Sequence, residues 1–213
     1  MAPVKIRFLM VAVFLSTFAV LPIAVHGAIV GNPGSLSGPG GGLIVGGEWE
    51  AGVSLGWSVT DTGSAYQYSY RFTAPDPGLS HFDLQVSSNF TEGNILAISN
   101  KMYELGEFVG DTGSSNPGWP TGEPLYGIKF EGFGEGLSWD ITLLTDRAPM
   151  EGDFYAKGGR DSFAYNSGFG TLDGANILVP DTKSYPVPEP GTMVLLGTGL
   201  IGIAGWGRRR FHR

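Results

Sequence analysis

From Glu48 onward, apolar and polar residues alternate with a period of two. Trp49, Ala51, Val53, Leu55, Trp57 and Val59 fall on one face, opposite Glu50, Ser54, Ser58 and Thr60. After Asp61-Thr62-Gly63-Ser64 the alternation resumes as Tyr66, Tyr68, Tyr70 and Phe72 against Gln67, Ser69, Arg71 and Thr73. Two such runs around a short glycine-containing loop predict a β-hairpin. Further strands are expected at Phe82–Val86, Ile95–Ile98, Met102–Val109, Tyr126–Phe130 and Trp139–Leu143, with shorter ones at Phe154–Ala156, Phe163–Tyr165 and Ile177–Val179. Turn signals such as Pro75-Asp76-Pro77-Gly78 and Asn116-Pro117-Gly118 separate them. No long stretch here has a helical period. Many short strands with one apolar face predict an all-β fold, an antiparallel, jelly-roll-like β-sandwich over residues 48–184. Ahead of it, Gly31 to Gly47 reads as a flexible glycine-rich leader (residues 28–47), in which Leu43-Ile44-Val45 is a short edge strand. That stretch lacks the Gly-Lys-Ser/Thr ending of a phosphate-binding loop.

Both ends of the chain depart from this pattern. Lys5 and Arg7 precede an apolar run from Phe8 to Leu21, broken by Pro22, and Val25-His26-Gly27 leads to Ala28. This is the layout of a cleavable signal peptide over residues 1–27, with Gly27 or Ala28 the last residue removed, or of an uncleaved anchor. At the other end, Val187-Pro188-Glu189-Pro190 precedes an apolar segment at about 191–207, then Arg208-Arg209-Arg210-Phe211-His212-Arg213. Such a run is at the short end of what spans a bilayer core of about 30 Å as a helix. Its glycines are at home in membrane helices. Arg208, Arg209, Arg210 and Arg213 form a cytoplasmic clamp, which puts everything before Pro190 outside. The expected architecture is thus a sandwich flanked by an N-terminal signal helix and a C-terminal transmembrane helix.

The order Pro-Glu-Pro, apolar span, arginines resembles the PEP-CTERM sorting signal of Gram-negative bacteria, here over residues 185–213. The resemblance implies that an inner-membrane exosortase recognises and processes the tail after passage through the Sec translocon and cleavage by signal peptidase. It also implies a transient stay in the inner membrane with the ectodomain periplasmic, then release to the cell surface or beyond. The alternative for the same segment is a permanent single-pass anchor. Tyr126-Gly127-Ile128-Lys129-Phe130, Trp139-Asp140-Ile141 and Gly152-Asp153-Phe154-Tyr155-Ala156-Lys157 are similar to ectodomains that accompany such tails. That similarity links the chain with extracellular polysaccharide and biofilm or floc matrix.

Charge narrows the partners. Of 13 basic residues, Lys5 and Arg7 lie in the signal and four arginines at the end of the tail, leaving between them 7 against 20 acidic residues (Glu189 of the Pro-Glu-Pro included), a formal charge of −13. Such a surface repels nucleic acid and anionic membranes and tolerates cations, calcium among them. The chain has no cysteine, which excludes disulfides, thiolate chemistry and cysteine-ligated metals.

Candidate chemistry is sparse. Asp-Thr-Gly-Ser occurs at Asp61–Ser64 and Asp111–Ser114, as in the active-site loops of pepsin-like proteases, whose paired carboxylates share a proton. The copies are too close for two lobes, and these residue types also build hydrogen-bonded turns. With His26 in the signal and His212 in the tail, only His81 is left, expected as a partly exposed strand residue. Glu48 and Glu50, sharing a strand face, and Glu131 and Glu135, bracketing a Gly-rich turn, read as solvated acids. Asp61, Asp111, Asp153 and Asp161 could contribute to a calcium loop, but without EF-hand spacing. Trp49, Trp57 and Trp139 follow the core pattern. Trp119 stands in the Asn116–Pro120 loop, where it would either stack on a sugar ring or cap the sandwich. Asn89-Phe90-Thr91 matches a glycosylation sequon that is uninformative in a bacterial setting. The reading is a non-enzymatic surface or matrix protein with no required cofactor. A carbohydrate-binding module is the alternative, and a secreted hydrolase the third.

Overall fold

The computed structural model describes residues 28–184, apart from 51, 101, 111–114, 121 and 172, and for 181–184 the backbone alone. The signal segment 1–27, the second Asp-Thr-Gly-Ser copy and the tail 185–213 lie outside the described residues. Strands follow the chain as β1 (Ala28–Ile29), β2 (Gly34–Ser37), β3 (Leu43–Gly46), β4 (Ser54–Asp61), β5 (Tyr66–Thr73), β6 (Leu79–Gln85) and β7 (Ile95–Ile98). They continue as β8 (Tyr103–Phe108), β9 (Leu125–Glu131), β10 (Ser138–Thr145), β11 (Arg147–Gly152), β12 (Phe154–Gly158), β13 (Phe163–Asn166) and β14 (Ile177–Ser184). Only two 3-10 turns, Gly47–Trp49 and Glu92–Asn94, interrupt them among the described residues.

Two six-stranded sheets face each other. The first runs β1-β4-β5-β10-β7, with β2 beside β1 on the free edge of β4. The second runs β3-β13-β12-β6-β9-β8, and β11 and β14 form a separate antiparallel ribbon. All these strand pairs are antiparallel. Three of them, β4–β5, β8–β9 and β12–β13, are hairpins within one sheet.

The period of two explains the core. Leu55, Val59, Tyr68, Tyr70, Phe72, Ile141 and Leu143 line the inner face of the first sheet, and all are buried. Phe82, Leu84, Ile128, Phe130, Phe154 and Ala156 answer from the second. Phe82 lies among four rings, with centroids 5.3 Å from Phe154, 6.0 Å from Phe72, 6.2 Å from Tyr70 and 6.4 Å from Phe130. The ribbon adds Ile177 and Val179 to the same core. Tyr68 and Tyr70 donate their hydroxyls to the carbonyls of Arg147 and Leu178 at 2.9 and 2.8 Å, which ties the ribbon to the first sheet.

Several expectations need correction. The first long strand begins at Ser54, because Gly52 takes φ +81 and Trp49 sits in a 3-10 turn. Trp49 is fully buried all the same and donates Nε1 to the Pro77 carbonyl at 2.7 Å. Trp57 is half-buried rather than central. Strand β8 stops short of Met102 and Val109, both exposed. The glycine-rich leader is part of the domain: it gives β1 and β2 to the first sheet and β3 to the edge of the second. Its turn closes by reciprocal backbone bonds between Ser37 and Gly41.

Register also fixes where the chain enters and leaves. Ala28 lies opposite Asp61, Tyr66 opposite Thr145, and Arg147 opposite Ser184. The first and last described residues therefore sit at one pole of the sandwich. The loops before β4 and β10 lie at the other, since Ser54 and Ser138 both pair with Thr73.

Candidate functional site

Strand β6 carries two kinds of side chain. Phe82 and Leu84 enter the core, while His81 and Asp83 point to the outer face of the second sheet. That outer face is covered. His81 is 6% and Asp83 1% exposed, which overturns the expectation of a partly exposed histidine. The Asn116 side chain, from the loop between β8 and β9, is hydrogen-bonded to His81. Across the sheet, Asp83 pairs with Lys129 and Tyr155, and His81 with Glu131 and Lys157.

The cover is a second, smaller apolar cluster of Trp119, Leu125, Tyr155 and Phe169. Trp119 is 8% exposed, so it is not the open loop tryptophan that sugar stacking needs; it caps the sheet. Its ring centroid lies 4.6 Å from Tyr155 and 5.5 Å from Phe169, and its Nε1 donates to the Glu123 carbonyl at 2.9 Å. Tyr155 donates its hydroxyl to the Pro117 carbonyl at 2.7 Å, holding the loop from beneath.

Beneath that cover His81 and Asp83 are in an unusual state. His81 Nε2 stands 3.6 Å from Asp83 Oδ2, beyond hydrogen-bond distance. His81 Nε2 and Asp83 Oδ1 are buried without a hydrogen-bond partner. Burial, reinforced by Lys129 and Lys157, lowers the imidazole to about 4. Burial also raises the Asp83 carboxyl to about 8, against the pull of Lys129 and with the push of Glu131 and Glu104. At neutral pH the site is therefore an imidazole and a carboxylic acid, both uncharged, in a place that resists charge. A neutral, enclosed histidine is poorly placed to activate a nucleophile on an external substrate.

The other sequence candidates are dispersed. Asp61 accepts the Gly63 N–H at 2.7 Å and Thr62 Oγ1 bonds Ala65, so the first Asp-Thr-Gly-Ser copy is a self-satisfied turn. Asp153 accepts from Asn166 Nδ2 at 2.7 Å and from the Gly170 N–H at 2.9 Å, at the back of a recess of about 360 Å³ that Gln85, Glu123 and Thr171 also line. Burial pushes its carboxyl up, offset by those two bonds. Asp161 lies in the turn between β12 and β13 with φ 57. Glu48 and Glu50 flank Trp49 in and after the 3-10 turn rather than sharing a strand face. Among the described residues, no three histidine, aspartate or glutamate side chains come together as metal ligands.

None of this describes the strongest sequence signal, which begins where β14 ends. Residues 186–210 match the PEP-CTERM protein-sorting motif. The chain carries a PEP-CTERM sorting signal. Val187, Pro188, Glu189, Pro190 and the arginines Arg208, Arg209 and Arg210 fall inside the match, and Arg213 just beyond it. The signal indicates exosortase-dependent sorting to the cell surface, with transient anchoring by the C-terminal segment. No helix among the described residues is long and apolar enough to cross a membrane, and segment 191–207 lies outside them. No curated protein and no solved structure matches the chain.

The covered pair and its cap each have a measurable consequence. In the unfolded chain His81 and Asp83 titrate near 6.5 and 3.9. Between about pH 4 and 6.5 both states hold one proton on the pair, so stability is flat there. From about 6.5 to 8 the folded state keeps a proton the unfolded state has lost, so stability falls with rising pH, by about 2 kcal/mol. Urea unfolding at pH 6.5 and 8 measures the drop, and Asp83→Asn is expected to remove it. Trp119→Ala is expected to cost about 3 kcal/mol by emptying the cap, seen as a lower urea midpoint.

Proposed function

We propose that the chain is an exported, non-enzymatic structural or adhesive protein, delivered to the cell surface or its matrix by exosortase processing. The sorting match at 186–210 carries this reading. The domain ahead of it is consistent with such a role, because its titratable interior groups are enclosed rather than displayed and its turns satisfy their own polar groups. Export also suits a fold that relies on sheet packing alone, with no cysteine to oxidise. Intact mass spectrometry of surface-released protein tests the reading. The expected mass lacks Arg208–Arg213 and the signal peptide; mature protein that retains those arginines would make the tail a permanent anchor.

A second reading, binding of extracellular polysaccharide, is favoured by one feature of the first sheet. Its outer face holds a groove of about 470 Å³ lined by Gly56, Ser58, Ser69, Arg71, Asp140 and Thr142. Arg71 forms a two-pronged ion pair with Asp140, at 2.7 and 2.9 Å, which leaves the groove hydroxylated and charge-balanced on an otherwise acidic molecule. Neutral sugar hydroxyls fit that lining better than ions do. Calorimetric titration with matrix polysaccharide is expected to show heat that Arg71→Ala abolishes and Trp119→Phe leaves intact. No heat with the wild type sinks this second reading and spares the first.

A further inference from the structure

The pole at which the chain enters and leaves is built from Ala28, the Asp61–Tyr66 turn, the loop 87–94, and the Asp146–Arg147 corner. Strand β14 ends there at Ser184, and the sorting match begins at residue 186, so only residue 185 separates a paired strand from the signal. An extended chain advances at most about 3.5 Å per residue, which places Pro190 within about 20 Å of the end of β14. An enzyme that grips Pro188-Glu189-Pro190 therefore works within about 20 Å of this pole.

The pole is ordered. Arg147, 8% exposed, donates Nη2 to the Asn94 side chain at 3.0 Å and to the Asn89 carbonyl at 3.3 Å. Asn94 in turn donates to Asp146 at 2.9 Å and closes a reciprocal cap with Thr91. The one basic side chain described here is thus consumed inside the pole. Its exposed side chains are Glu92, Ser88 and Asn89, beside the half-buried Asp61 and an Asp146 that lies 3.7 Å from Arg147 Nε, and among the described side chains of the pole no lysine or arginine is exposed. A surface of this charge is repelled by anionic lipid and suits a basic protein face.

We propose that this pole is the docking surface for the membrane-embedded enzyme that cuts the sorting signal, met by a basic patch on that enzyme's non-cytoplasmic side. The inference rests on the exosortase reading and adds to it that the folded domain, not the tail alone, is recognised. The pole sets how the tail is presented, so processing depends on it even though none of its residues belongs to the signal.

The test uses the full-length chain in its own exporting cells, following tail loss by pulse-chase and intact mass. Ser88→Arg with Glu92→Lys, both exposed positions outside the cap bonds, is expected to slow tail removal about tenfold, the scale of a close interfacial charge contact. Glu50→Lys with Glu135→Lys, exposed at the opposite pole, is expected to leave the rate unchanged. Inserting a Gly-Ser linker of about 12 residues after residue 185 is expected to make the rate insensitive to the pole substitutions. Equal thermal midpoints across the set would show that the domain stays folded. Equal rates for the two poles would overturn the docking surface while leaving sorting intact. A wild-type chain that never loses its arginines would overturn the sorting reading and this inference together.

Discussion

The contact on which this domain depends is the ring layer between its two sheets, with Phe82 at the centre. Two twisted sheets can bury their inner faces only if side chains from each fill the gap of about 10 Å between them. Here Phe72 and Tyr70 reach in from the first sheet and Phe82, Phe130 and Phe154 from the second. Large rings fill that space with few side chains, which suits a chain in which 35 of 213 residues are glycine. Edge-to-face and stacked pairs of this kind add about 0.5–1.5 kcal/mol beyond burial. Everything else attaches to the layer: the ribbon through Tyr68 and Tyr70, and the entry turn through Trp49 packed against Phe72 at 5.4 Å.

The inner faces were legible because a sheet with one buried face writes itself as alternation. Leu55, Phe72 and Ile141 could be assigned from spacing alone. The failures have physical reasons. Strand β2, Gly34-Ser35-Leu36-Ser37, offers one apolar residue to the pattern, and β11 contains Pro149, tolerated because that strand is in a two-stranded ribbon. Trp49 lies in phase with the strand that follows and yet belongs to a turn, because Gly52 redirects the backbone between them. Trp57 and His81 fall where alternation says they should. What alternation cannot say is what covers an outer face.

That limit explains the largest difference between expectation and structure. His81 and Asp83 occupy polar positions of β6, and a polar position normally means solvent. The loop between β8 and β9 instead lays Trp119 on Tyr155 and Phe169. Once covered, the two groups are uncharged near neutral pH, because burial outweighs the pull of the nearby Lys129 on Asp83 and no hydrogen bond reaches either orphaned atom. Asp83 was silent in the sequence for the same reason: nothing local marks an acid as covered by residues as distant along the chain as Trp119 and Phe169.

Sorting imposes a different demand, that the domain must not need its tail. Among the described side chains of β14, Ile177 and Val179 lie in the apolar core, and the backbone pairing to β11 continues as far as Arg147 and Ser184. Every ring of the central layer precedes residue 155. Shortening the chain by β14 would strip Ile177 and Val179 from the core and free the Tyr70 hydroxyl, which donates to the Leu178 carbonyl, whereas the Tyr68 hydroxyl would keep its partner, the Arg147 carbonyl. The sorting match begins at residue 186, just past the end of β14 at Ser184, so a temporary membrane hold can be cut there without removing any residue of the ring layer.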